Sequence, residues 1–233
     1  MINTSTAFNS TYDNPMYVGY MYGTSGSLVN NRKNTTNSTI KDKIDTWYAS
    51  NMTSYTKYLS TTAVYCNDRT EQTAGTYNTG RTEFNYAPYA RVWSTYNPTY
   101  DCAATEDKFT VDTSTGNGKL TYPIALMTAD EVSFAGGLYG TNAPTWYYYN
   151  SANGSSTGST WWWLLSPYRW NGNHAYVFRV GGSSYPGYLG GYSNVDFTFG
   201  VRPAISLKSC TLYSTGNGSA SDPYTIKETD TGC

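Results

Sequence analysis

The sequence contains few charged residues. Only 13% of its 233 residues are Asp, Glu, Lys or Arg, and the net charge is −1; a typical soluble protein has about 25%. No run of basic residues is present. Because nucleic acids and anionic lipid surfaces are bound through clustered Lys and Arg, we expect neither as a partner.

Long apolar runs are also missing. The longest, such as residues 161–165 (WWWLL), are far shorter than the roughly 20 residues that a membrane-spanning helix needs. The chain turns polar at Asn3, so no signal peptide is recognisable. We therefore expect no membrane insertion by this chain, and a signal or anchor segment that lies outside it. The alternative is a cytoplasmic or phage-borne protein that never carries one.

Catalytic and metal-binding motifs are absent as well. The single histidine, His174, is not accompanied by a G-x-S-x-G motif, and there is no C-x-x-C pair, EF-hand loop or Walker motif. Asp130 and Glu131 follow Thr128 in a capping box, where acids favour the start of a helix rather than catalysis. We predict that the protein is not an enzyme and binds no metal or cofactor.

Four cysteines are present, Cys66, Cys102, Cys210 and Cys233. An even number without metal-ligand spacing, in a chain rich in Tyr, Thr and Ser, fits disulfides in an oxidising compartment. Of the three connectivities we favour Cys66–Cys102 and Cys210–Cys233, because each closes a loop-rich segment; the alternative is four buried thiols. This predicts an extracellular or cell-surface location.

The most informative part of the sequence is a segment rich in Tyr, Gly, Ser, Asn and Phe, residues 168–199, which we call the display segment. Two hydrophobic blocks, residues 161–167 (WWWLLSP) and 200–207 (GVRPAISL), bracket it. Tyrosine supplies large contact area at low entropic cost, and Ser, Gly and Asn supply adaptable hydrogen bonds. This composition predicts a binding surface on a fixed frame, although an extended surface tuned for solubility has the same composition.

Two groups of residues are expected within the display segment. A strand must place apolar side chains on its core side, which predicts that small aliphatic residues are buried anchors: Ala175, Val177, Val180, Leu189 and Val195. The other side chains are expected to face outward and to bind the ligand: Tyr168, Arg169, Asn173, His174, Tyr176, Phe178, Arg179, Tyr188, Tyr192, Ser193, Asn194, Asp196, Phe197 and Phe199.

The WW-x-L-S-P run, the Gly-rich polar segment and the GVRPAISL block together resemble the variable proteins of diversity-generating retroelements. They are also similar to a family of C-type-lectin-like surface domains of gut Gram-positive bacteria. The similarity extends to residues 39–48, 65–69 (YCNDR) and 120–137. The resemblance implies a C-type-lectin-like fold and a ligand on another cell, phage or host. However, the calcium-binding triplets of sugar-binding lectins and the paired cysteines of the related formylglycine-generating enzymes are missing.

The resemblance has a further consequence for codon usage. Such retroelements change adenines in AAC or AAT codons, and the resulting codons cannot encode Lys, Glu, Gln, Met or Trp. None of these five residues occurs between residues 171 and 199. Since the whole chain has few of them, this absence supports the resemblance without establishing it.

Local patterns predict an α+β arrangement, with two helices around a small, twisted, mostly antiparallel sheet and long loops. The helices are expected to begin after Ser38 and Thr128, and strands are expected at residues 16–22, 120–127, 161–165, 175–180 and 201–207. Residues 1–37 form a lead-in, 38–209 the main domain, and 210–233 an extension with an added strand.

The sequence therefore predicts an extracellular display module that binds an unknown protein or glycan with a diversified surface. The alternative is a structural adhesin or pilus-type subunit that uses the same surface for assembly. A carbohydrate-binding module is a third interpretation.

Overall fold

A computed structural model describes residues 2–72, 83–144, 146, 160–219 and 221–233. The α-helices in these ranges are α1 (Leu28–Asn31), α2 (Thr39–Asn51), α3 (Ala87–Tyr89) and α4 (Ala129–Phe134). Short 3-10 helices span Pro15–Val18, Thr53–Tyr58 and Thr105–Asp107, and a π-helical turn spans Ala90–Ser94.

The strands are short, apart from the two that contain the first part of the display segment. They are β1 (Ile2–Thr6), β2 (Met21–Tyr22), β3 (Thr36–Asn37), β4 (Tyr65–Cys66), β5 (Phe84–Asn85), β6 (Lys108–Phe109), β7 (Ile124–Leu126), β8 (Leu138–Tyr139), β9 (Trp162–Trp170), β10 (Ala175–Val180), β11 (Tyr188–Gly190), β12 (Phe199–Val201), β13 (Pro203–Ile205), β14 (Tyr213–Thr215) and β15 (Thr225–Ile226).

A mixed seven-stranded sheet dominates the fold. Its order is β1-β12-β9-β10-β11-β8, and β5 also pairs with β9. The pairs β12–β9 and β11–β8 are parallel, whereas the other neighbours are antiparallel. Two-stranded sheets are formed by β13 with β7, β14 with β15, β2 with β3 and β4 with β6.

This architecture corrects the predicted fold class. The expected α+β, C-type-lectin-like arrangement of two helices around a small, mostly antiparallel sheet is wrong, because the fold is dominated by its large mixed sheet. Both expected helices exist as α2 and α4. However, the sheet also includes β1, β5 and β8, which come from distant parts of the chain, and β5 and β8 are too short to show a local alternation.

Four of the five expected strands have different bounds. The strand expected at residues 120–127 is reduced to β7, Ile124–Leu126. Residues 16–22 contain only the short β2, since Asn14 caps a 3-10 helix that begins at Pro15. The strand expected at 161–165 continues to Trp170, and the block after residue 200 divides into β12 and β13 at Arg202. The C-terminal extension contains a hairpin, β14–β15, rather than one added strand.

The predicted starts of both helices are confirmed. The Ser38 hydroxyl accepts a hydrogen bond from the Lys41 amide at the start of α2, and Ile40, Ile44 and Tyr48 on one face of the helix are buried. The Thr128–Glu131 capping box is formed at α4. Gly136 follows that helix with φ of 94°, a conformation that favours glycine and ends the helix.

The central strands are buried on both faces. In β9, Trp163 and Leu165 belong to one hydrophobic cluster, which also contains the buried face of α2, whereas Trp162 and Leu164 belong to a second cluster beside α4. Strand β10 alternates in the same way, because Val177 joins the first cluster and Phe178 and Val180 the second. This frame fixes the start of the display segment from both sides.

Both predicted disulfides are confirmed. Cys66 is bonded to Cys102 and Cys210 to Cys233, with Cα–Cα distances of 5.8 and 5.5 Å. The first disulfide anchors β4, and the second closes the C-terminal extension. Among the residues that the structure describes, no helix combines the length and apolar character needed to cross a membrane.

Candidate functional site

The five aliphatic residues predicted as anchors of the display segment are buried. Each has a relative exposure of 0%, and all five belong to the two core clusters: Ala175, Val177, Val180, Leu189 and Val195. Their burial is confirmed, so most of the display segment is attached to the sheet by apolar contacts rather than extending as a free loop.

The residues expected to face outward fall into three groups. Asn173, Tyr192 and Phe197 are exposed. A second group is half-buried, with part of each side chain accessible: Arg169, His174, Tyr176, Arg179, Tyr188, Asn194, Asp196 and Phe199. The outward orientation expected for Tyr168, Phe178 and Ser193 is wrong, because all three are buried.

The corrected orientations have a physical reason. The alternation of β10 turns Phe178 toward the second core cluster. Tyr168 belongs to the same cluster, where its phenol oxygen lies 2.8 Å from that of Tyr139. Burial raises the pKa of Tyr168 further above neutral pH, because desolvation disfavours the charged phenolate.

The accessible residues on the side of the second cluster form an aromatic surface. We call it the tyrosine patch and define it by Tyr12, Arg169, His174, Tyr176 and Tyr192. The rings of Tyr12 and His174 stack with centroids 4.7 Å apart, Tyr176 lies 6.4 Å from His174, and Tyr192 lies 6.2 Å from Tyr176. The rings therefore follow one another in a continuous series.

The tyrosine patch is held by neighbouring polar groups and by a rigid floor. Asn171 donates a hydrogen bond to the Tyr176 hydroxyl at 2.9 Å, and Arg169 forms an ion pair with Glu83. The Tyr192 ring packs against that of Tyr168 at 5.2 Å. Next to it, a Cβ on Gly191 would lie 2.0 Å from the Tyr168 ring, so only glycine fits there.

A second group of aromatic residues surrounds Arg179 on the other face of the sheet. We call it the arginine patch and define it by Trp161, Arg179, Tyr185, Tyr188 and Phe199. The Arg179 guanidinium carbon lies 4.1 Å from the Trp161 ring centroid and 4.7 Å from that of Phe199. The display segment thus contributes to two surfaces, because successive residues of β10 point to opposite faces.

Two cavities lie beside these elements. An open cavity of about 410 Å³ is lined by Tyr96, Leu138 and Tyr139, among others. A smaller polar cavity, about 110 Å³, contains Arg91, which forms ion pairs with Asp68 and Asp130. This pairing gives Asp130 a structural partner. Across the described ranges, no group of three or more His, Cys, Asp or Glu side chains is placed to hold a metal ion.

Sequence reasoning missed several residues of the site. Tyr12 and Glu83 lie far from the display segment in the chain and reach the tyrosine patch only through folding. Tyr139 contributes to its floor for the same reason. Trp161 and Tyr185 could have been identified from the sequence, because Trp161 lies just before the display segment and Tyr185 is an aromatic residue within it.

A scan against family models found no match, and neither did searches of curated proteins and of solved structures.

Proposed function

We propose that this protein is an extracellular ligand-binding module that presents the tyrosine patch on a fixed sheet. The observation that carries the proposal is the division within one segment between buried aliphatic anchors and accessible aromatic side chains. Val177 and Val195 have 0% exposure, whereas Tyr192 has 62%. Such a surface can change its contact residues while the core beneath it stays constant.

The chemistry of the tyrosine patch suits recognition of a protein or a glycan. Aromatic rings dominate the energy of many interfaces, and tyrosine also offers a hydroxyl group for hydrogen bonds. The contacts of Tyr176 with Asn171 and of Tyr192 with Tyr168 restrict the rings before a ligand arrives. Little side-chain entropy is then lost on binding.

The location outside the cell rests on the two disulfides. Such bonds persist in oxidising compartments and are rare in the cytosol of most organisms. Both of them close segments outside the display segment, so they support stability rather than ligand chemistry.

We further propose that the chain is a variable protein of a diversity-generating retroelement. The support is the resemblance of the framing blocks and the absence of Lys, Glu, Gln, Met and Trp from residues 171–199. The burial pattern adds a restriction: diversification is compatible with folding at accessible positions such as Asn173, Tyr176 and Tyr192, but not at Phe178.

Sequencing of the gene from many cells of one population tests this proposal. We expect the codons of Asn173, Tyr176, Tyr192, Asn194 and Phe197 to vary at the positions where the template copy has adenines, with constant codons for the buried anchors. A reverse-transcriptase gene and a near-copy of the coding region for residues 171–202 should lie nearby. Substitutions spread evenly along the gene, without such a copy, would contradict the retroelement proposal.

One observation favours a structural subunit of another kind, which would assemble through a groove outside the display segment rather than through the tyrosine patch. Several large apolar side chains are exposed around a groove of about 560 Å³ beside the β14–β15 hairpin: Ile205, Leu207, Leu212, Tyr213 and Tyr224. A subunit that assembles through this groove would form oligomers at micromolar concentration, and Leu212→Ser would abolish them. A monomer in light scattering, with or without the substitution, would remove this alternative.

A further inference from the structure

Arg179 lacks the acidic partner that other arginines have. Four arginines form ion pairs with carboxylates: Arg32 and Arg69 with Asp107, Arg91 with Asp68 and Asp130, and Arg169 with Glu83. Within the described residues Arg179 forms no ion pair, and its Nε is buried without a hydrogen-bond partner. The stretches outside the described ranges contain no Asp or Glu. No carboxylate of this chain therefore neutralises Arg179.

The guanidinium of Arg179 is nevertheless held in place. It lies between the rings of Trp161 and Phe199, at 4.1 and 4.7 Å from their centroids. On the neighbouring strand Gly190 is the register partner of Arg179, and a Cβ there would lie 3.5 Å from the Arg179 Nε. That distance is an ordinary van der Waals contact, so β11 packs directly beside the Arg179 side chain. This stacking holds the guanidinium in position, so ligand binding would not have to order the side chain.

The arrangement has an electrostatic cost that a ligand can offset. Burial lowers the pKa of Arg179, because desolvation disfavours the charged form. Arg179 remains partly accessible, and about half of the surface of the nearby Tyr185 is exposed as well. An anion that reaches the terminal Nη groups would gain charge-assisted hydrogen bonds.

We propose that the arginine patch is a second binding site, which receives the carboxylate of an Asp or Glu side chain on a protein partner. A carboxylate matches the fork of one guanidinium, whereas phosphate groups are usually bound by several cations. Arg179 is the sole cation of the arginine patch. The indole face of Trp161 is already covered by the guanidinium, which disfavours the open aromatic platform that a sugar ring requires.

The proposal is tested by NMR titration of the full chain with two short peptides. The probes are acetyl-Gly-Glu-Gly-amide and its Gln analogue, which differs only in charge. We expect the Glu peptide to shift the Arg179 Nε–H and Trp161 indole N–H resonances saturably, with a Kd of about 1 mM. The Gln peptide should leave both resonances unchanged.

Three variants control the titration. Arg179→Gln should weaken binding of the Glu peptide about tenfold or more, and Arg179→Lys should weaken it partly, because the charge remains but the fork is lost. Lys119→Gln removes an exposed cation that belongs to neither patch and should leave the Kd unchanged. If Arg179→Gln fails to fold, the resonances of the unmodified protein still decide the question.

Equal binding of both peptides, or no shift with either, would overturn the proposal and leave Arg179 with a stabilising role only. Binding of N-acetylneuraminic acid at Arg179 in place of the Glu peptide would overturn the protein partner in favour of an acidic glycan. The result is independent of the proposed function, because Tyr192→Ala changes the tyrosine patch and should not alter this titration.

Discussion

The phenol oxygens of Tyr139 and Tyr168 lie 2.8 Å apart beneath the tyrosine patch. Tyr168 begins the display segment, yet it is 1% exposed and packs against Tyr89, Phe178 and Tyr192. Tyrosine is common in binding surfaces, but Tyr168 is part of the buried floor that supports the tyrosine patch. This relationship separates residues that hold the surface from residues that form it.

Replacing Tyr168 with Phe should destabilise the protein. The substitution leaves the Tyr139 hydroxyl without its partner, and the expected loss in unfolding free energy is about 1 kcal/mol. Tyr192→Phe is the matched control and should change the free energy by less than about 0.5 kcal/mol, since Tyr192 is 62% exposed. Urea denaturation measures both. Equal effects of the two substitutions would contradict the assignment of Tyr168 to the floor.

Val177→Asp should unfold or severely destabilise the domain. The substitution places an unpaired charge at a site of 0% exposure, which costs several kcal/mol. Val29→Asp introduces the same charge at a position that is 75% exposed and should be tolerated. Thermal denaturation of both variants is the measurement, and a tolerated Val177→Asp would show that the display segment is not anchored as described.

Removal of either disulfide should destabilise the protein by a similar amount. On the chain-entropy model, the Cys66–Cys102 bond spans 36 residues, the Cys210–Cys233 bond spans 23 residues, and each stabilises by roughly 3.5 kcal/mol. Double Ser variants of each pair, compared by denaturant unfolding, measure these losses. Peptide mapping without reductant should recover these two pairs, and crossed pairs would refute the connectivity.

The buried ion pair of Arg69 and Asp107 should be sensitive to the loss of either partner. The Arg69 Nε lies 2.6 Å from the Asp107 carboxylate, and both side chains are 1% exposed. Arg69 also donates to the carbonyl oxygen of Met21, which ties β2 to the segment that follows β4. Asp107→Asn should cost about 3–5 kcal/mol, because it leaves a buried guanidinium without its counter-charge.

Asp112→Asn is the control for that substitution, since Asp112 bonds only to neighbouring hydroxyls and amides in an exposed turn. Chemical denaturation compares the two. A loss below about 1 kcal/mol for Asp107→Asn would contradict a structural role for the pair.

Local features of the fold could be predicted from the sequence. Ser38 and Thr128 mark helix starts through capping chemistry that acts within four residues. The strand at residues 175–180 has the bounds Ala175–Val180 because its alternation is local. The cysteine pairs followed from the loop-rich segments that they close.

The sheet and the division of the site could not be predicted in this way. The pairing of β1 with β12 joins residues almost 200 positions apart, and no local pattern encodes it. The display segment was expected to form one surface, but β10 divides it between two faces. Tyr168 and Phe178 are of residue types that often contact ligands. Only their packing against Tyr139 and within the second cluster shows that they are buried.

The measurement that tests the central claim most directly is a paired alanine scan of residues 168–199, in which melting temperature and ligand binding are read on every variant. We predict that Tyr176→Ala and Tyr192→Ala weaken binding by more than about 1 kcal/mol with little change in melting temperature. Tyr168→Ala and Phe178→Ala should instead lower the melting temperature by about 10 °C, with binding lost only as a consequence. If Tyr176→Ala and Tyr192→Ala collapse the fold, or leave binding unchanged, the tyrosine patch is not a recognition surface.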